Sequence, residues 1–188
     1  MKGFDMRGLH YTACVIAVGA ATAALAHGSA TGIVKERMDG MIVLRDSMKA
    51  MGPMMQGKTE YDGAVVRARA SAIRQHSGEA LSSLFPQGSG GMPSEATDAV
   101  WEDWERFTMI SNRLETLAVA LEAGAGNGLM KDGMGGMMNS GTMQEMMAGG
   151  MSMPMDEGQL AAMPADALFT MIGNTCSACH EKFRAKMQ

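Results

Sequence analysis

Five residues near the C-terminus, Cys176-Ser-Ala-Cys179-His180, constrain this chain more than any other feature. A Cys-x-x-Cys-His run is the attachment pattern of c-type haem. On a helix, Cys176 and Cys179 lie three apart on one face, so both sulfurs can reach the two vinyl groups of one haem. His180, four residues after Cys176, stays on that face, and its imidazole can take an axial iron position. A bare Cys-x-x-Cys would leave thioredoxin-like redox chemistry or half a zinc site open. The histidine directly after it narrows that choice. Zinc would also need more ligands at matching spacing, and the only other cysteine is Cys14, in the N-terminal segment.

That segment reads as an export signal. Lys2 and Arg7 precede an apolar run from Cys14 that ends in Ala24-Leu-Ala26, which gives a charged start, an apolar stretch and a small-residue cleavage site. The run is short for a full membrane span, so cleavage before His27 is favoured over an uncleaved anchor. The expected division is therefore a signal peptide over 1–26 and a mature domain over 27–188, without stable membrane insertion. Cleavage removes Lys2, Arg7 and Asp5 and takes the formal charge from −4 to −5. A mildly acidic chain without a basic stripe is a poor nucleic-acid binder. Both mature cysteines belong to the motif, so no disulfide is expected. Bacterial haem attachment takes place outside the cytoplasmic membrane, so a periplasmic location agrees with the cofactor.

Helical periodicity runs through the mature chain. Met41, Leu44, Met48, Met51 and Met55 follow a 3-4-3-4 spacing, which predicts an amphipathic helix over 33–55 that Gly52-Pro53 should end or kink. A second helix is expected over about 61–85, with Val65, Ala68, Ala72, Ala80, Leu81 and Leu84 inward, stopped by Pro86-Gln-Gly-Ser-Gly-Gly. In the third, Ser94 or Thr97 can act as the cap, and Val100, Trp104, Phe107, Ser111, Leu114, Ala118 and Leu121 form a seam that ends at Gly124. The fourth begins near Pro164 and aligns Phe169, Ile172, Cys176, Cys179 and Phe183. Nothing alternates with period two. The fold class that follows is all-α, an antiparallel four-helix bundle with its cofactor between facing helices.

One stretch departs from that plan. Between residues 124 and 158, Met130, Met134, Met137, Met138, Met143, Met146, Met147, Met151, Met153 and Met155 alternate with glycines. Glycine costs about 1 kcal/mol per helical position relative to alanine, so irregular or mobile backbone is expected of this insertion. Closely spaced thioethers are soft ligands that select Cu(I), so copper contact is one reading. A ligand-free loop and a sacrificial site for oxidants are the others.

With the haem motif on its last helix, the chain resembles the cytochrome c′ family, the class II cytochromes c. Val34-Lys-Glu-Arg37-Met-Asp-Gly-Met41 is similar to the family's first-helix pattern, in which an arginine precedes the sixth-site residue by four. Gly52 through Tyr61-Asp62, Leu84-Phe85-Pro86, the pair Trp101 and Phe107, and Ile172-Gly173 through His180 and Arg184 match in order and spacing. The resemblance implies His180 as proximal ligand, with Arg184 near it on the helix. It places Met41 at the sixth position, where high-spin members carry an apolar blocking side chain and low-spin members a methionine. Read from the residues alone, Met41 could equally be a core methionine, because Met38, Met48 and Met51 share its helix. Arg37 is either a partner for a haem propionate or an exposed charge. Trp101 is expected to pack near the haem edge, Trp104 on the bundle seam, and His76 at the surface without a ligand role. Arg184 is alternatively a solvated cation at a helix C-terminus.

The function this favours is one-electron transfer by a mono-haem cytochrome with His180 and Met41 as axial ligands. Redox proteins would be its partners. Five-coordinate binding of nitric oxide or carbon monoxide, and copper binding through the insertion, are the alternatives. No paired carboxylates, nucleophile–base pair or phosphate loop lies near the motif, so no enzyme is expected. Homodimers are common in the resembling family, through the first two helices, but nothing in these residues establishes one.

Overall fold

A computed structural model describes residues 30–130 and 156–186. The export segment lies outside the described residues, as do residues 131–155 of the insertion with its copper reading. The described flanks of the insertion are a 3-10 turn at Gly124–Gly126 and the start of a helix at Glu157, where irregular backbone was expected. The helices are α1 (Gly32–Met55), α2 (Gly63–Gln75), α3 (Glu79–Ser82), α4 (Ala99–Glu102), α5 (Trp104–Ala123), α6 (Glu157–Ala161) and α7 (Ala165–Phe183), with a 3-10 turn at Gly124–Gly126. Among the described residues there is no strand, and an isolated antiparallel bridge pairs Ala96 with Arg184.

Four of these helices close a ring, with α1 on α2, α2 on α5, α5 on α7 and α7 on α1. Their directions alternate. Gly40, early in α1, faces His76 at the end of α2, and Gly63, opening α2, faces Ala125 just beyond α5. Lys182 near the end of α7 pairs with Asp103 at the start of α5. The bundle is antiparallel. Its core is made by Leu44, Met51, Val66, Ile73, Leu117, Leu121, Leu168 and Ile172, all buried. At the end that carries the cysteines, Leu81, Phe85, Val100, Phe107, Ile110 and Phe183 form a second, aromatic cluster.

Several expectations shift once the chain is folded. Gly52-Pro53 does not end α1, because Pro53 lies inside its final turn, where the N–H it lacks costs one bond only. The stop falls at Gly57, which takes φ +66° and donates to the Met54 carbonyl at 3.0 Å. The expected second helix is two helices, α2 and α3. The Ser77 hydroxyl donates to the Ile73 carbonyl at 2.9 Å. Gly78 turns left-handed at φ +61° and exchanges bonds with Ser111: its N–H donates to the Ser111 carbonyl at 3.1 Å and its carbonyl accepts from Oγ at 2.9 Å. The inward stripe of α2 is Val66, Ala70 and Ile73, one position out of phase with the one expected. Val65, Ala68 and Ala80 are exposed. Asp62 sets the phase by capping α2, accepting from the Ala64 and Val65 N–H groups.

The expected third helix also breaks, at Asp103. Its carboxylate caps α5 through the Arg106 N–H and pairs with Lys182. Ser94 and Thr97 cap neither piece: Ser94 Oγ accepts from Ala96 N–H at 3.2 Å, and the Thr97 N–H donates to the Phe183 carbonyl at 2.9 Å. The break turns Trp104 off the seam to 40% exposure, against the seam position expected for it.

Close backbone approaches seat α6 and the link that leads into α7. A Cβ on Gly124 would stand 2.6 Å from the Ala161 carbonyl oxygen and 3.0 Å from Asn127 Nδ2. Asn127 itself donates to the Ala161 and Met163 carbonyls. Gly124→Ala therefore forces fixed groups apart and is expected to cost about 1–3 kcal/mol. Urea unfolding checks this against Gly126→Ala, whose Cβ would meet nothing within 4 Å.

Candidate haem site

Pro164 stands at the entry of α7, and Ala165, Leu168 and Ile172 fix which face of it turns inward. Continuing that face brings Cys176 and Cys179 to half-buried positions one turn apart. Cys176 packs on the main core and Cys179 on the aromatic cluster. Burial raises both thiols, and Cys179, also facing Cys176, is pushed up to about 11. Neither is a thiolate at neutral pH, which disfavours thiol–disulfide exchange at this pair. Among the described residues no group of three His, Cys, Asp or Glu side chains is placed to hold a metal.

His180 is exposed on the last turn of α7. Desolvation lowers its pKa, the Arg184 charge lowers it further, and Glu95 opposes them. The imidazole is consequently neutral at pH 7, the form that ligates a metal. Arg184 does not extend the helix by another turn as expected. The helix stops at Phe183, and Arg184 is extended, with its Nε donating to Glu95 Oε2 at 2.6 Å. Its charge still reaches His180.

Across from α7, Met41 on α1 is half-buried and packs against both clusters, the one that takes Cys176 and the one that takes Cys179. Met48, two turns further along α1, reaches Gly173: a Cβ there would lie 3.9 Å from the methionine Cε. Arg37, one turn before Met41, is 3% exposed. It is not the exposed charge that was one of its two readings. Its guanidinium lies 4.4 Å from the Phe85 ring centroid, and Nη2 donates to the Ser89 carbonyl at 2.6 Å. Nε is buried without a partner, and burial lowers the pKa. A buried cation with an unused donor suits an anionic group such as a propionate.

Trp101 packs on Phe85 at 6.5 Å between centroids and donates to the Phe85 and Pro86 carbonyls at 2.9 and 3.1 Å. It braces the loop after α3 as well as the aromatic cluster. His76 is half-buried, with its ring over Gly40, more enclosed than a surface histidine. Phe85 as the platform under Arg37, and Glu95 as the partner of Arg184, carried no local sequence signal. Both contacts join segments more than 45 residues apart. Two thiols and an imidazole on one helix, a thioether opposite, and a buried cation with a free donor fit the haem that the motif implies.

The family model described as Cytochrome C′ matches residues 32–140, more than half of the chain. The chain belongs to the cytochrome c′ family. Its members are non-enzymatic haem proteins, and membership implies covalent haem c. Cytochrome c′ of Rhodospirillum rubrum is 27% identical over 108 residues, covering 57% of this chain and 52% of that protein. The chain thus spans about half the length of that relative. Cytochrome c-554 of Cereibacter sphaeroides is 24% identical over 82% of this chain and 81% of its own. Cytochrome c-556 of Agrobacterium fabrum is 26% identical over 84% of each. In fold, the chain is similar to cytochrome c′ of Thermochromatium tepidum, with TM-score 0.57 at 20% identity over 82% of this chain and 95% of that one. Ferric cytochrome c′ of Alcaligenes xylosoxidans gives the same TM-score, 0.57, at 22% identity over 82% and 94%. The four-helix bundle of these cytochromes c′ is the architecture found here. Among the described residues no helix is long and apolar enough to cross a membrane.

Proposed function

We propose that this member of the cytochrome c′ family is a periplasmic, low-spin electron-transfer protein. Cys176 and Cys179 would anchor the haem, and His180 and Met41 would be its axial ligands. Bound there, haem supplies an iron that changes oxidation state by one electron. The observation that carries the reading is the place of Met41, packed against both clusters that take the two cysteines. A thioether at that position favours ferrous iron, whereas an aliphatic side chain would only obstruct access. Arg37 would give its free Nε to a propionate, and Trp101 would wall the haem edge through Phe85. Arg184, tied to Glu95, would bias the imidazole of His180 through its charge. Similarity to cytochromes c-554 and c-556 over most of the chain supports electron transfer. Redox proteins would be the partners.

Potentiometry tests this. Met41→Leu keeps the bulk and removes the sulfur, so the midpoint potential should fall, by about 59 mV for each tenfold loss of ferrous preference. An unchanged potential would retire Met41 as the sixth ligand.

A further inference from the structure

Trp104 leaves 40% of its surface to solvent, which is a large apolar area to spend outside a core. Its inner side lies on Phe107, with centroids 5.4 Å apart and planes at 32°. Phe107 in turn meets Phe183 edge-on at 5.4 Å and 88°. Phe183 stands four residues after Cys179 on α7, and Cys179 packs against this same cluster. Two ring contacts therefore connect the surface to the turn of α7 that bears the haem motif.

The ground around Trp104 is acidic. Asp98, Glu102 and Glu105 are exposed, and among the described residues none of them has an ion-pair partner. Asp98 and Glu102 line an open depression of about 510 Å³ walled by Trp101, where a cationic side chain can lay its stem on the indole. The nearby cations Lys182 and Arg184 are already engaged by Asp103 and Glu95, which leaves Arg106 as the exposed cation on this turn of α5.

We propose that this face docks a small one-electron metalloprotein that presents a lysine-rich surface around its own redox centre. The inference rests on the electron-transfer reading and names where the partner sits. An exposed aromatic anchor in a segment whose exposed carboxylates lack ion-pair partners is the pattern of a hot spot with a steering rim. A second copy of this chain fits poorly, because a two-fold contact would set Glu102 and Glu105 against acids of the same kind. On transfer one of the two proteins loses one electron and the other gains it. No bond or proton changes hands.

Titration of the holoprotein with mitochondrial cytochrome c, a lysine-rich one-electron metalloprotein, followed by NMR shifts at low and at moderate salt, tests the proposal. Trp104→Ala should weaken binding about tenfold, and Trp104→Phe should recover most of it. Glu102→Gln with Glu105→Gln should flatten the salt dependence. The haem spectrum and midpoint potential should stay as in the parent, which separates docking from ligation. Should Trp104→Ala fail to fold, the two surface glutamates carry the test. Parent-like binding by every variant would overturn the proposal, as would a change in oligomeric state without loss of probe binding. A five-coordinate spectrum in the parent would sink the electron-transfer reading instead, whatever the titration shows.

Discussion

Cys176→Ala combined with Cys179→Ala is expected to yield a chain that shows no haem after denaturing electrophoresis, while the parent should keep its full signal. The two sulfurs lie on one face of α7, and both are half-buried toward the bundle. With both thioether links gone, only axial ligation and packing would hold the cofactor, and these dissolve with the fold. Each single variant should retain covalent haem through its remaining bond. The apoprotein should also melt lower than the holoprotein, since a cofactor bound only by the native state adds to its stability. Haem that persisted on the double variant through denaturation would place the attachment elsewhere.

Leu168→Ala is expected to cost about 2–5 kcal/mol, the range for a large-to-small change in a closed core, and to lower Tm by roughly 10 °C. Leu168 is fully buried on the inner face of α7, two turns before Cys176. The lost contacts would be those that seat the helix carrying the Cys-x-x-Cys-His motif against α5. Val119→Ala is the matched control. That residue is 39% exposed, so its truncation should stay within about 0.5 kcal/mol. Thermal unfolding of the two variants beside the parent decides it. Similar Tm values for both would mean that α7 does not pack through Leu168.

What the residues disclosed in advance follows the range of the forces involved. Helix α1 and the start of α7 were readable because a 3-4 stripe and a proline at the first turn are local signals. The phase of α2 was not. Val65 and Val66 are interchangeable by hydropathy, and the choice between them is made by Asp62 as cap. The breaks at Gly78 and Asp103 had signals in Ser77-Gly78 and in an aspartate ahead of Trp104. Neither reads as a break in the sequence, the one at Asp103 because the seam from Val100 to Leu121 runs across it, and both breaks are held by distant partners, Ser111 and Lys182. The site divides the same way. Cys176, Cys179 and His180 form a local motif, whereas the burial of Arg37 depends on Phe85 and Ser89, about fifty residues away. Resemblance to a family pointed to Met41, and its packing against both clusters was visible only in three dimensions.

The measurement that bears most directly on the account is the visible spectrum of the holoprotein, ferric and ferrous, recorded for the parent and for Met41→Ala. Ligation by His180 and Met41 predicts sharp ferrous α and β bands and the weak far-red ferric band of a methionine sulfur, all lost in the variant. A broad five-coordinate spectrum in the parent, unaltered by the substitution, would contradict it and leave a cytochrome with an open site for a gas.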